Sequence, residues 1–312
     1  MNLFELPLME SRGAVAAPDW ATGCFVRRSI TFFTGATDTT TLVVWVQSRG
    51  LTFDLRLSPD RPRVESVKDV AGLSLDDLTS LADAEGGLAR STFAAGSGSC
   101  SGTMSWGEWV RAQVHDGWPE PGELRRVGEC LTEFAPSGAY VEDWRAQRSD
   151  KGMLIGLVLV SEIDADKGTL LHSGGGLVVA GDHAGFVRGR PAALPKVGRL
   201  ADLVRANPGN RALLNNVFRF EASYATRGAD GDYVVTASTL PFREGQRLTS
   251  LDGFALDGDM LVQRATEGER LVERRFRIET CESFDGGVST EATPVARSWL
   301  AQEHRTLLRD AR

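Results

Sequence analysis

The chain has 312 residues, 42% hydrophobic and 25% charged, enough apolar sequence to bury a sizeable core without disulfides or a structural metal. Its 42 acids outweigh 35 bases for a net charge of −7, and no run of like charge forms a tail or basic stripe, which argues against nucleic acid as a partner. Four cysteines (24, 100, 130, 281) and four histidines (115, 172, 183, 304) stand apart without zinc-ligand spacing, so no metal and no cofactor is expected.

The first ten residues, Met1 to Glu10, lack a basic region and carry acids within their apolar stretch, and nowhere do 18 apolar residues run together. Neither a secretion signal nor a membrane span is expected, and the reading is a cytoplasmic protein with reduced thiols. Period-two alternation then predicts strands over 28–33, 42–47 and 52–57, the last two joined by a short glycine-bearing hairpin at Ser48-Arg49-Gly50-Leu51. Leu75, Leu78 and Leu81 recur at helical spacing between Ser74 and Gly86, which predicts one short capped helix. Further strands are expected over 87–95, 102–114, 124–134, 139–147, 152–163, 169–180, 183–190, 212–224, 231–238, 253–256, 260–266 and 271–281, with a helical turn at 200–205.

More than a dozen short strands that do not alternate with helices predict a mainly β fold, one large antiparallel lipocalin-like barrel over about residues 20–290. Residues 294–312 are expected as a C-terminal helix packed outside the barrel by Trp299, with Val295, Leu307 and Leu308 on its apolar side.

Strand geometry sends alternate side chains to opposite faces. Over 43–47 this separates Trp45 and Gln47 from Val44 and Val46; over 52–57 it separates Thr52, Asp54 and Arg56 from Phe53, Leu55 and Leu57. Over 140–144 it places Tyr140, Glu142 and Trp144 together. If these polar and aromatic faces look inward, they form a pocket with aromatic walls and a few polar anchors, the usual composition of a small-molecule site. The other placement puts Asp54 and Arg56 in solvent or in an ion pair at the barrel base. Trp106 and Trp109, three apart in an extended strand, should face opposite ways, with one of them toward the cavity. The run Ser173-Gly174-Gly175-Gly176 lacks the context of a phosphate loop and reads as a glycine-rich hairpin. His183 reads as a turn residue, and the arginines after Cys24 could lower its pKa.

The order and spacing of Trp45-Val46-Gln47, Asp54-Leu55-Arg56, Glu133, Tyr140-Val141-Glu142-Asp143-Trp144 and Gly181-Asp182 with Arg188 resemble a lipocalin-like family. It is named after a fungal protein that interacts with a casein kinase, and it has many bacterial members of no assigned activity. The resemblance implies a calycin-type barrel with Trp45, Gln47, Asp54, Arg56, Tyr140, Glu142 and Trp144 around an internal cavity, and it brings no established reaction. The family's Cys-x-Trp-His-Arg stretch is replaced here by Met104-Ser105-Trp106-Gly107-Glu108, which changes the cavity's charge.

Three functions fit these residues. A carrier would stack a small, partly apolar or aromatic molecule on Trp45, Trp106 and Trp144 and anchor its polar end with Gln47, Asp54 or Arg56. A cofactor-independent lyase, isomerase or cyclase would use Glu142 as acid or base, Tyr140 as proton donor and Arg56 to stabilise developing negative charge. An interaction module would use the outer barrel surface. The partners expected are a small-molecule ligand or substrate and at most a second copy of the chain, as a homodimer, with no nucleic acid and no membrane.

Overall fold

The protein is described by a computed structural model that covers residues 1–9, 15–62, 69–115, 120–196, 198–286 and 294–310. The first half contributes β1 (Gly23–Phe32), β2 (Thr37–Asp38), β3 (Leu42–Gln47), β4 (Leu51–Leu57), β5 (Glu85–Ala95), β6 (Ser101–Arg111), β7 (Gly122–Val127), β8 (Cys130–Phe134) and β9 (Tyr140–Ala146). From β3 onward each strand pairs antiparallel with the next, and the short β2 sits on the outer end of β1. β9 returns to β1, from Phe25 opposite Ala146 to Phe32 opposite Tyr140. Eight strands, β1 and β3 to β9, thus close an antiparallel barrel, and the fold is mainly β as the alternation predicts.

Closure comes sooner than the expected span of 20–290. Ala146 completes the ring, and the later strands build a second sheet: β10 (Gly152–Asp164), β11 (Leu170–Ser173), β12 (Gly175–Ala180), β13 (His183–Arg188), β14 (Glu221–Arg227), β15 (Tyr233–Ser238), β16 (Phe254–Asp257), β17 (Met260–Glu267) and β18 (Arg270–Phe284). Their order is β15-β14-β13-β12-β10-β18-β17-β16, with β11 also on β10. The physical reason is that strand tilt and register stagger, rather than strand supply, decide where a barrel shuts.

The two sheets share a dry interface. Val44, Val46, Phe53, Leu55 and Leu57 on the outside of the barrel join Val178, Ala180, Val187, Ala222 and Tyr224 of the second sheet in one core. Gly185 makes room for this approach, because a Cβ there would lie 2.2 Å from Cγ of Phe53. β3 and β4 are therefore buried on both faces, and their inner face is free to carry polar groups.

The other face of the second sheet encloses Ile155, Leu157, Leu177, Phe186, Val235 and Phe276, together with Leu3 and Leu6 from the start of the chain. One end of this interior is ionic. The fully buried Arg274 meets Glu162 at 2.6 Å, and Arg188 meets Glu267 at 2.8 Å as well as Glu221. Charges at such depth persist because each is paired and hydrogen-bonded.

The expected helix forms as α1 (Leu75–Leu81), opened by a reciprocal cap in which Ser74 accepts the Asp77 N–H and Asp77 accepts the Ser74 N–H. The helical turn lengthens into α2 (Leu200–Ala206). Three expected strands divide. Residues 169–180 are interrupted between β11 and β12. Residues 124–134 are the β7–β8 hairpin, turning at Gly128 with φ of +61°, and residues 212–224 are α3 (Arg211–Val217) followed by the start of β14. Asn210 caps α3 by accepting the Leu213 N–H, and Leu214 and Val217 bury against Leu78 and Leu81 of α1. A short apolar run cannot be assigned to helix or strand by periodicity alone.

The C-terminal helix, α4 (Pro294–Asp310), is present, but Trp299 is 58% exposed and does not seat it. Ala311, Arg312 and the side chains of Leu307 and Leu308 lie outside the described residues. No helix among the described residues is long and apolar enough to cross a membrane.

Candidate functional site

The barrel encloses a cavity of about 650 Å³. Its floor lies toward the β3–β4 hairpin and its mouth toward Phe33, Ser58 and His115. Trp45, Asp54, Arg56, Trp106, Tyr140, Glu142 and Trp144 all line it, so the polar and aromatic faces expected to look inward are brought together.

Aromatic rings make the floor. Trp45 stands edge-on to both Trp106 and Trp144, with centroids 6.0 Å and 5.5 Å apart, and Phe25 lies 5.1 Å from Trp45. Gln47, expected to touch ligand, is fully buried beneath this floor and is not among the lining residues. Its Oε1 accepts from Trp45 Nε1 at 2.8 Å and from the Thr52 hydroxyl at 2.5 Å, while its Nε2 donates to Ser91 Oγ and to the Ser48 carbonyl. Trp106 Nε1 in turn donates to Thr52 Oγ1 at 3.0 Å. Both polar side-chain atoms of Gln47 are engaged, Oε1 directly with the Trp45 indole and Nε2 with Ser48 and Ser91, so it holds the floor in place from outside the cavity lining. Nε1 of Trp144, by contrast, has no hydrogen-bond partner among the described residues.

Two bulges overturn simple alternation. In β6 the register shifts between Leu88 and Arg90 of its partner, and Glu108 takes a φ of +49°. This resets the side-chain period, so that Trp109 lines the cavity along with Trp106 instead of facing away. In β1 the register against β9 shifts between Arg27 and Ser29, which lets Arg27 and Ile30 both line the interior. Arg27 was not among the residues singled out from sequence.

The mid-wall is ionic. Arg27 donates to Glu142 at 2.7 Å and to Asp38 at 2.9 Å, and Arg56 donates to Asp54 at 2.9 Å. The Asp54 carboxylate raises the Arg56 guanidinium further above its ordinary value, and the Thr40 N–H leads the hydrogen bonds that hold Asp38 low. Glu142, read from sequence as the acid or base, is thus tied to a guanidinium. Directly opposite it in the β8–β9 register stands Glu133, which is 5% exposed. No ion pair joins Glu133 to a cation among the described residues; it accepts only from the Tyr140 hydroxyl, at 3.3 Å.

Burial first, and then the charge of Glu142, push the Glu133 carboxyl up to about 8. Burial likewise raises the Tyr140 phenol. Gly122 on β7 leaves the space Glu133 fills, since a Cβ there would come within 2.7 Å of Glu133 Oε1. Among the described residues seven carboxyl side chains line the cavity (Asp38, Asp54, Asp83, Glu85, Glu120, Glu133, Glu142) against three guanidiniums (Arg27, Arg56, Arg111). Arg111 is directed to the rim, where it stacks 5.6 Å from the Trp109 ring centre.

The weaker sequence signals fall elsewhere. Cys24 and His183 lie between the sheets, where the Tyr224 hydroxyl is 3.8 Å from the Cys24 sulfur and 2.8 Å from His183 Nδ1. Burial pushes the thiol up to about 12 and the imidazole down, the reverse of an activated pair. Arg188 belongs to the ionic network of the second sheet. The glycine run at 174–176 joins β11 to β12, which lie end to end along β10, so the expected hairpin does not form there and the glycines instead interrupt one strand. No cluster of three or more His, Cys, Asp or Glu side chains among the described residues could hold a metal ion.

No family model, no curated protein and no solved structure matches this chain.

Proposed function

We propose that the closed barrel binds a small, partly apolar or aromatic molecule in its cavity and acts as a carrier or sequestering protein. The observation that carries this reading is the cavity of about 650 Å³ lined by Trp45, Trp106 and Trp144 below a mid-wall of ionisable groups, with Trp109 at its rim. Indole faces supply large rigid apolar area at small entropic cost, and a bicyclic ligand covering about 200 Å² of apolar surface would gain roughly 5 kcal/mol before the costs of association. The four cysteines are free thiols, in keeping with a cytoplasmic protein, and membership of the lipocalin-like family belongs to the same proposal.

Native mass spectrometry of freshly purified protein, with identification of any co-purifying small molecule, tests the reading. The expected result is an adduct lost in the Trp144→Ala variant; an adduct retained in that variant places the ligand elsewhere and sinks it.

A second reading, a cofactor-independent lyase, isomerase or cyclase, is favoured by one feature: a buried carboxyl group raised to about 8 beside a tyrosine hydroxyl. Such a group exchanges protons near neutral pH, as acid/base catalysis requires. In that case Glu133, rather than the ion-paired Glu142, moves the proton, with Tyr140 positioned against it. Glu133→Gln would then abolish turnover of a bound substrate and preserve its binding, whereas a carrier shows no turnover in either form.

A further inference from the structure

We infer that the cavity takes a ligand whose apolar or aromatic body carries a cationic nitrogen, with the indoles receiving the body and the Glu133 side receiving the cation. The inference rests on the cavity being a ligand site and names the chemistry of what enters it.

Three observations support the choice over an anionic or neutral ligand. The charge of both inner guanidiniums is already matched, that of Arg27 by Glu142 and Asp38 and that of Arg56 by Asp54 through Nε, so neither offers an unmatched positive charge to a carboxylate or phosphate. Besides the protonated Glu133, lining carboxylates outnumber guanidiniums by six to three, so the low-dielectric walls focus a negative potential into the hollow. Finally, indole faces are the strongest of the aromatic surfaces for a cation.

Among the described residues Glu133 is the inner carboxyl that no ion pair joins to a cation, although the Arg56 charge reaches it. It faces Glu142 and Tyr140 on β9 and Asp54 and Arg56 on β4; Arg27 on β1 reaches it only through Glu142, and Gly122 on β7 sets no charge against it. In the empty cavity it holds its proton up to about pH 8. A bound cation favours the ionised form, so binding expels that proton. Affinity therefore rises with pH until the empty cavity also ionises near 8, and then levels.

The test uses three probes of one size: benzyltrimethylammonium, its uncharged isostere neopentylbenzene, and phenylacetate. Titration calorimetry between pH 6 and 9.5, in buffers of different ionisation heat, reads both affinity and proton release. Because the ammonium charge is permanent, only the protein titrates. At pH 9 the cation is expected to bind about ten-fold or more tightly than the isostere, to gain several-fold in affinity between pH 6.5 and 8.5, and to release a proton at the lower pH. In the Glu133→Gln variant, which swaps a mostly protonated carboxyl for an amide of the same shape, the pH dependence and the proton release should vanish.

Equal or tighter binding of the isostere or of phenylacetate at every pH overturns the inference and leaves the cavity reading standing. So does a wild-type affinity for the cation that is flat across pH. Failure of all three probes to bind removes the cavity reading itself.

Discussion

Replacing Glu133 by glutamine should make the protein more stable, by a margin that grows as the pH rises from about 4.5 to about 8. The folded barrel keeps the Glu133 proton up to about pH 8, whereas the unfolded chain releases it near 4.5. Below pH 4.5 both forms carry the proton and the carboxyl has no effect on the equilibrium. Between 4.5 and 8 the folded form binds one proton more, so each rise in pH favours unfolding; above 8 the loss is complete. At 1.36 kcal/mol per pH unit the interval corresponds to roughly 5 kcal/mol. Water that follows the charge into the cavity screens part of it, and a measured difference of about 2–4 kcal/mol is expected. Urea denaturation of both proteins at pH 5, 7 and 9 reads this directly. The two stabilities should nearly coincide at pH 5 and diverge by pH 9, with the variant above. Parallel curves across the range would refute the placement of an unpaired carboxyl inside the barrel.

Arg27→Gln leaves the Glu142 carboxylate without its cation inside the wall, and a loss of about 3–5 kcal/mol is expected by urea denaturation at pH 7; a loss under 1 kcal/mol would mean the pair is open to solvent. Gly185→Ala drives a methyl group into the Phe53 ring at the sheet interface and should cost about 1–3 kcal/mol in the same assay. Native alkylation followed by peptide mass spectrometry should label the exposed Cys130 first and leave Cys24, buried with its thiol raised to about 12, unmodified until the protein unfolds.

Much of the site was legible because strand alternation is a property of the backbone. Once β3, β4 and β9 are recognised as strands, Trp45, Asp54, Arg56, Tyr140, Glu142 and Trp144 must share the faces they do, and all of them line the cavity. Alternation says nothing, however, of depth along a strand. Gln47 lies on the correct face, but at the closed end, where its amide is consumed by Trp45, Thr52 and Ser91.

Bulges were the second obstacle. A single extra residue at Glu108 or Arg28 reverses every inference beyond it, and neither position carries the glycine that would announce the turn in sequence. Glu133 stands in the sequence as part of the pattern that resembles the family, but without a role, for a different reason. Its importance is relative: it is the inner carboxyl left over when Arg27 and Arg56 have chosen their partners, and only coordinates reveal such pairings. The early closure at Ala146 was equally hidden, since nothing in the local pattern of β9 says that its free edge will meet β1.

The wall that β3 and β4 share with the second sheet has a consequence for anyone wishing to retune this cavity. Val44, Phe53 and Leu55 are clamped from behind, so a larger or smaller side chain at Trp45 or Asp54 cannot be accommodated by letting the strand flex outward. On the opposite arc, Glu123, Arg125 and Val127 of β7 face water, and none of the described residues covers them from behind. Libraries aimed at new ligand preferences should therefore vary the inward positions of β6 to β8 and leave the clamped pair of strands alone.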